Sequence, residues 1–350
     1  MKDIVIFVNL TKQCNVNCQR CFLTTENRQS NKQLSIELFE KFIKTSQIQT
    51  AEECTIIYEG GEPTLIGHEK LLLFIKKARE LLPNAKQTMV SNFLNMPNWL
   101  MDITKNEFNN RIETTFAMGG KFTLDGSQEK YQSKFESSLT KAIENKINVA
   151  VNVELNKETY EKGPDELIRL IKRTGCKEWE FDLSVDFQSF IKNPKYNSYG
   201  YPVVSGTITY SEFSDYVLQF YKENKDFLIK NKIQTTIIDQ AKNKFEKNMM
   251  FNVQREGSFF TINPDGSVTT NPLFSDMIPT YIGNLSIQSA ESIFDSKLIK
   301  NRTRYEAIRG KQCLSCEFYR RCNGGPSHAL LHDGSGECSG SKKIWEYFCN

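Results

Sequence analysis

The chain has 350 residues, 39% of them hydrophobic and 25% charged, with a net charge of +3. That length suits one large domain with a smaller one, and so small a charge gives no electrostatic reason to expect a nucleic-acid partner. No run reaches the roughly 18 apolar residues expected of a membrane span, and Met1-Lys2-Asp3 enters a strand without a signal-peptide pattern.

The first element is the apolar run 4–10, a buried strand by pattern. It leads into Cys14, Cys18 and Cys21, spaced Cys-x3-Cys-x2-Cys. Three thiolates on one loop can hold three irons of a cubane cluster and leave the fourth open to a small molecule. An electron-transfer cluster usually has four cysteines, so chemistry at the open iron is expected. A zinc site is the competing reading, but zinc normally takes four ligands, and Cys54 and His68 are the nearest spare candidates. Ten cysteines without an export signal point to metal or redox chemistry in a reducing cytoplasm rather than to disulfides.

Ser35 reads as a helix N-cap, with Phe39, Phe42 and Ile43 at helical spacing behind it. A second strand, 55–59, runs into Gly60-Gly61-Glu62-Pro63. Glycines permit positive φ and close backbone approach, and a carboxylate can accept a charge-assisted hydrogen bond from an ammonium. Further strands are expected at 86–92, 111–117, 147–155 and 178–185, with helices over 67–82, 97–107, 128–145 and 164–174. Six strands joined by helices imply a parallel sheet with right-handed crossovers, open or closed into a barrel.

Strands five and six alternate. Asn148, Asn152, Glu154 and Asn156 oppose Val149, Val151, Val153 and Leu155; Glu178, Glu180, Asp182 and Ser184 oppose Trp179, Phe181, Leu183 and Val185. If helices cover the apolar face, the polar face lines a lumen; the other reading makes strand six a wet edge. Asp182 lies nearest the C-terminal end of its strand, where parallel α/β folds place their chemistry. It is the expected base or substrate anchor, with Glu180 second.

The rhythm breaks over 187–210, where Phe187, Tyr196, Tyr199, Tyr201 and Tyr210 have no clear period, either a functional loop or a linker. A helix is expected from Ser211 to about Lys232, and 233–257 is polar and poorly patterned. An Asp265-Gly266 hairpin follows, then Ile282-Gly283-Asn284-Leu285 and a second cysteine signature, Cys313-x2-Cys316-x5-Cys322.

The cysteine loop and the Gly-Gly-Glu-Pro strand end resemble those of the radical S-adenosylmethionine (SAM) superfamily. The hairpin and the second cysteine run resemble the SPASM/twitch-like extension of its peptide-modifying members. The resemblance implies an α/β fold: a partial (β/α)6 TIM-like barrel over 1–186, a bridging segment over 187–257 and a small iron–sulfur domain over 258–350. It implies SAM and two [4Fe–4S] clusters, one on Cys14, Cys18 and Cys21, the other on Cys313, Cys316, Cys322 and a fourth ligand. Cys338 and Cys349 compete for that place. Cys338 is favoured because the run after it looks like the helix that follows the last family cysteine; a zinc ribbon is the alternative. Asn271 and Pro326 stand where the family places cysteines, so the ligands of one auxiliary cluster are absent together.

Gly60, Gly61 and Glu62 would bind the SAM ammonium, Ser91 and Asn92 its ribose, and Asn152 would also face the cofactor. Arg20 replaces the usual aromatic residue before the third cysteine. The SAM carboxylate partner is not identified; Lys134 is a weak candidate against a solvated helix lysine. By family analogy, SAM splits to a 5′-deoxyadenosyl radical that takes a hydrogen from a peptide or protein. The expected outcome is an oxidative crosslink of cyclophane type in a ribosomally made peptide. Formylglycine-type maturation and peptide epimerisation are the enzymatic alternatives; a non-enzymatic metal scaffold is the other class. An electron donor such as flavodoxin or ferredoxin is implied, with any leader-binding protein separate or absent.

Overall fold

The computed structural model describes residues 3–198, 200, 202–242, 258–306, 311–322, 324, 338 and 340–349. Its strands are β1 (Asp3–Thr11), β2 (Val16–Cys18), β3 (Glu53–Gly60), β4 (Lys86–Ser91), β5 (Arg111–Phe116), β6 (Lys121–Thr123), β7 (Asn148–Leu155), β8 (Glu178–Leu183), β9 (Gln234–Thr235), β10 (Phe259–Ile262), β11 (Ser267–Thr269) and β12 (Gly283–Asn284). The six expected strands are β1, β3, β4, β5, β7 and β8, and they lie side by side in parallel in that order. Helices cross between them, including His68–Leu81, Asn98–Glu107, Gln128–Glu144 and Asp165–Thr174.

Local chemistry sets these elements. Ser35 accepts from Leu38 N at 3.3 Å and starts helix Ile36–Ile43, whose Phe39, Phe42 and Ile43 are buried. The alternation in β7 and β8 resolves as a lumen rather than a wet edge. Val149, Val151, Val153, Trp179 and Phe181 are buried, while Asn152, Glu154 and Asp182 line an internal cavity. The start of β8 is also covered, since Glu178 and Trp179 pair with β9.

Three regions differ from the sequence expectation. Residues 259–284, assigned above to a separate C-terminal domain, continue the barrel sheet. β10 runs parallel to β1, pairing Val5 with Phe259 and Val8 with Ile262, and β11 and β12 follow antiparallel. Phe42 joins the two parts through rings of Phe260 and Phe294 at 6.1 and 5.6 Å. The segment after β8 is not aperiodic throughout. Asp186 caps helix Phe187–Lys192, and Phe187 and Phe190 pack with Val204, Phe274 and Met277. Finally, the polar stretch after 232 contains β9 and helix Thr236–Lys242, with Ile237, Ile238 and Ala241 buried. Tyr199, Tyr201, residues 243–257, Pro326, His328 and His332 lie outside the described residues. Among the described residues no helix is long and apolar enough to cross a membrane.

Candidate active site

The cysteine loop leaves the end of β1 and is fastened on several sides. Cys14 N donates to Arg28 O at 3.0 Å and Gln19 N to Gly120 O at 2.6 Å. β2, inside the loop, pairs antiparallel with β6, setting Cys18 beside Lys121. Burial pushes the Cys14 and Cys21 thiols up to about 12, and neighbouring Cys18 adds to both. Burial also raises Cys18, against the opposing pull of Lys121. Three clustered, buried thiols resist becoming thiolates unless a strongly positive group joins them. No three Cys, His, Asp or Glu among the described residues gather tightly enough for a single metal ion. Three thiols on one loop fit three corners of a cubane cluster.

The glycine pair closes this loop onto β3. Gly61 N donates to Thr11 O at 2.9 Å and Glu62 N to Gln13 O at 2.8 Å. A Cβ at Gly60, where φ is +133°, would lie 2.1 Å from Thr11 O; one at Gly61 would lie 2.2 Å from Gln13 O. Only glycine lets the two backbones approach this closely.

Glu62 is densely bonded within the protein. Its carboxylate accepts from Thr64 N at 3.1 Å, Thr64 Oγ1 at 2.7 Å, Ser91 Oγ at 3.1 Å and Asn92 N at 2.8 Å. The residue is only 1% exposed and does not line the cavity. Its carboxylate ties the ends of β3 and β4 together. A buried carboxylate recruits internal donors because leaving it unpaired is costly. Asn92 extends the tie by donating to Asn15 Oδ1 at 2.7 Å and weakly to Cys14 Sγ at 3.8 Å. Ser91, Asn92, Gly60, Gly61 and Arg20 do line the cavity.

That cavity measures about 780 Å³ and runs from the three cysteines down the lumen to Arg111. Asp182 accepts a hydrogen bond from Asn152 Nδ2 within it. Glu180 does not reach the cavity wall; it lies 3.8 Å from Arg111. Burial, then Glu113 and Asp182, push its carboxyl up to about 7. Arg111 bonds Glu178 at 2.6 Å and also pairs with Glu113. Two further groups emerge only from the fold. Lys121, 4% exposed, pairs with Glu154 at 3.2 Å beside Cys18; burial opposes its charge, but Glu154 holds its pKa above the ordinary value. Glu59, one residue before the glycine pair, faces the cavity, and burial followed by Glu113 pushes it up to about 8. Its place in the alternation Thr55-Ile57-Glu59 was the available signal. Lys134 is exposed on helix Gln128–Glu144, as a solvated lysine would be.

At the C-terminal end, Cys322 Sγ approaches Gly340 O at 3.6 Å, and Trp345 Nε1 donates to the same carbonyl at 2.9 Å. The segment beginning at Cys338 is thereby held against Cys322, and Cys313 and Cys316 share the turn preceding it. Cys349 turns toward Ala241 O, 3.9 Å away. Asn271 lines the main cavity with Pro272 and Leu273. Cys176 is a core thiol bonded to Val149 O at 3.2 Å and pushed up to about 11 by burial. Cys54 is half-buried, its thiol pushed up to about 12 by the same cause.

Residues 4–144 match the family described as a 4Fe-4S single cluster domain. Over 340 residues, 93% of this chain and 88% of the relative, the sequence is 22% identical to a cysteine-type anaerobic sulfatase-maturating enzyme of Clostridium novyi (strain NT). Among solved structures, anSMEcpe with bound AdoMet and a Cp18Cys peptide superposes with a TM-score of 0.73 at 16% identity, covering 99% of this chain and 96% of that one. Streptococcus suis SuiB bound to its precursor peptide SuiA gives a TM-score of 0.59 at 16% identity, over 93% of this chain and 72% of that one. At these identities the structures establish a shared fold. Residues 4–144 thus match a 4Fe-4S cluster domain, and the chain is an enzyme that shares the fold of an AdoMet-bound maturating enzyme and carries a cysteine-bearing C-terminal extension.

Proposed function

We propose that the protein oxidatively modifies a peptide and that the product is a crosslink between side chains of that peptide. The carrying observation is one continuous cavity with the cysteine loop at one end and hydrogen-bonding side chains of β5, β7 and β8 along its wall. When bound, SAM and its cluster supply a hydrogen-abstracting radical; the remaining tasks belong to the chain. Cys14, Cys18 and Cys21 would hold the cluster, and Gly60, Gly61 and Glu62 would receive the SAM amino group. Ser91 and Asn92 contact the ribose, with Asn152 nearby. Asp182, oriented by Asn152, takes the proton that crosslinking must release. Cys313, Cys316, Cys322 and Cys338 would hold a second cluster, which would supply an acceptor for the surplus electron.

Oxidation of a cysteine to an aldehyde is the second reading, favoured by the 22% identity to a sulfatase-maturating enzyme over almost the whole chain. Mass spectrometry of candidate short peptides co-expressed with the protein separates the two. Loss of two hydrogens with every sulfur retained supports crosslinking; loss of two hydrogens together with exchange of one sulfur for oxygen supports the aldehyde. An unchanged mass with an inverted α-carbon would overturn both in favour of epimerisation. Anaerobic assay with a flavodoxin or ferredoxin as electron donor tests the shared premise, since absence of 5′-deoxyadenosine would remove it.

A further inference from the structure

The lower lumen has more acid than base. Arg111 is committed to Glu113 and Glu178, with Glu180 3.8 Å away. Glu59 and Glu113 both line the cavity. The sheet register explains their meeting. Tyr58 pairs with Met89, which puts Glu59 level with Val90, and Val90 pairs with Glu113. The short valine between the two acids leaves the space above it open.

Glu59 has a buried Oε1 with no hydrogen-bond partner among the described residues, and Asn152 Oδ1, on the same cavity, has none either. A buried polar atom without a partner is costly unless a ligand completes it. No group of three Cys, His, Asp or Glu that could hold a metal ion occurs among the described residues. A long organic cation suits this site better: its aliphatic stem would lie along Val5, Phe7, Ile57 and Val90, which line the same cavity, and its charged end would reach the carboxylates.

We infer that Glu59 and Glu113 form the end of a subsite for a cationic side chain, lysine or arginine, of the peptide substrate. The inference rests on the peptide-modifying reading above and adds a specificity to it. Without a guest, burial and then the nearby charge of Glu113 keep the proton on Glu59. Glu59, at about 8, is mostly protonated at neutral pH. A cation arriving there displaces a proton, so binding strengthens as pH rises toward 8.

The probes are Ac-Ala-Lys-Ala-NH2 and its norleucine counterpart, titrated into the cluster-reconstituted, SAM-loaded enzyme by calorimetry in two buffers of different ionisation enthalpy. The lysine peptide should bind at least about tenfold tighter and release protons at neutral pH. Glu59→Gln and Glu113→Gln should each shrink the preference to less than about threefold, while peptide-independent SAM cleavage continues. Equal affinities, no proton release, or no binding of either peptide in the millimolar range overturns the subsite. Failure of wild-type SAM cleavage would instead count against the functional reading, since the charge preference is measured without turnover.

Discussion

Glu62, singled out by the sequence as a motif residue, also has internal partners that the sequence does not reveal: four donors within the protein bond its carboxylate. Glu62→Gln is therefore expected to lower the unfolding free energy by about 1–3 kcal/mol, the scale of a disrupted buried hydrogen-bond set, as measured by urea denaturation. Unchanged stability with SAM affinity reduced at least tenfold would leave only the ammonium role. Asp182→Asn keeps the hydrogen bond count near Asn152 while removing the charge. Clusters and uncoupled SAM cleavage should survive, with product formation falling about 10²-fold; wild-type product rates would exclude Asp182 as the base. Glu59 carries a pH signature. Its folded pKa, about 8, exceeds the ordinary 4.5, so its neutral form is the one the fold prefers. That favourable balance is complete below pH 4.5 and is lost as pH rises through 8. Wild-type stability should fall across that window, and Glu59→Gln should flatten the fall, by on the order of a few kcal/mol at the alkaline end. Parallel urea titrations at several pH values check it.

At the scale of elements, β3 is the organiser, because its last residues fasten the cysteine loop. Gly61→Ala would drive a Cβ to 2.2 Å from Gln13 O and 2.3 Å from Lys12 O, both backbone atoms that cannot swing aside. The expected result is loss of about four irons, one cubane, with far-UV circular dichroism preserved, since the parallel sheet does not depend on this contact. A full iron load in the variant would show that the loop tolerates displacement. The elements that periodicity identified were those with one buried face and one polar face, such as helix Ile36–Ile43 and strands β7 and β8. Helix Phe187–Lys192 and β9 escaped because they are short, and a few residues carry too little periodicity to stand out. Their apolar side chains are explained by distant partners, Phe274 for Phe187 and the β8 edge for β9.

On the scale of the whole molecule, the C-terminal third is not an appendage, since β10 extends the barrel sheet and Lys12 pairs with Asp276 at 2.7 Å from beside the cysteine loop. The second cysteine group lies beyond that shared sheet. Cys338→Ala should cost about four irons and Cys349→Ala none, because Gly340 ties the Cys338 segment to Cys322 whereas Cys349 faces Ala241. Iron and sulfide analysis of the two variants decides it, and the reverse pattern would move the ligand. The sequence by itself determined the six-stranded parallel α/β plan, the cysteine loop and the Gly60-Gly61 strand end. These follow from spacing, alternation and residue chemistry within short stretches of chain. Only the tertiary structure decided that Glu62 turns inward, that Lys121 stands beside Cys18, that Glu59 faces Glu113 across Val90, and that residue 259 pairs with residue 5. Each depends on which strand lies next to which and in what register, and a strand's own residues specify its faces but not its neighbours.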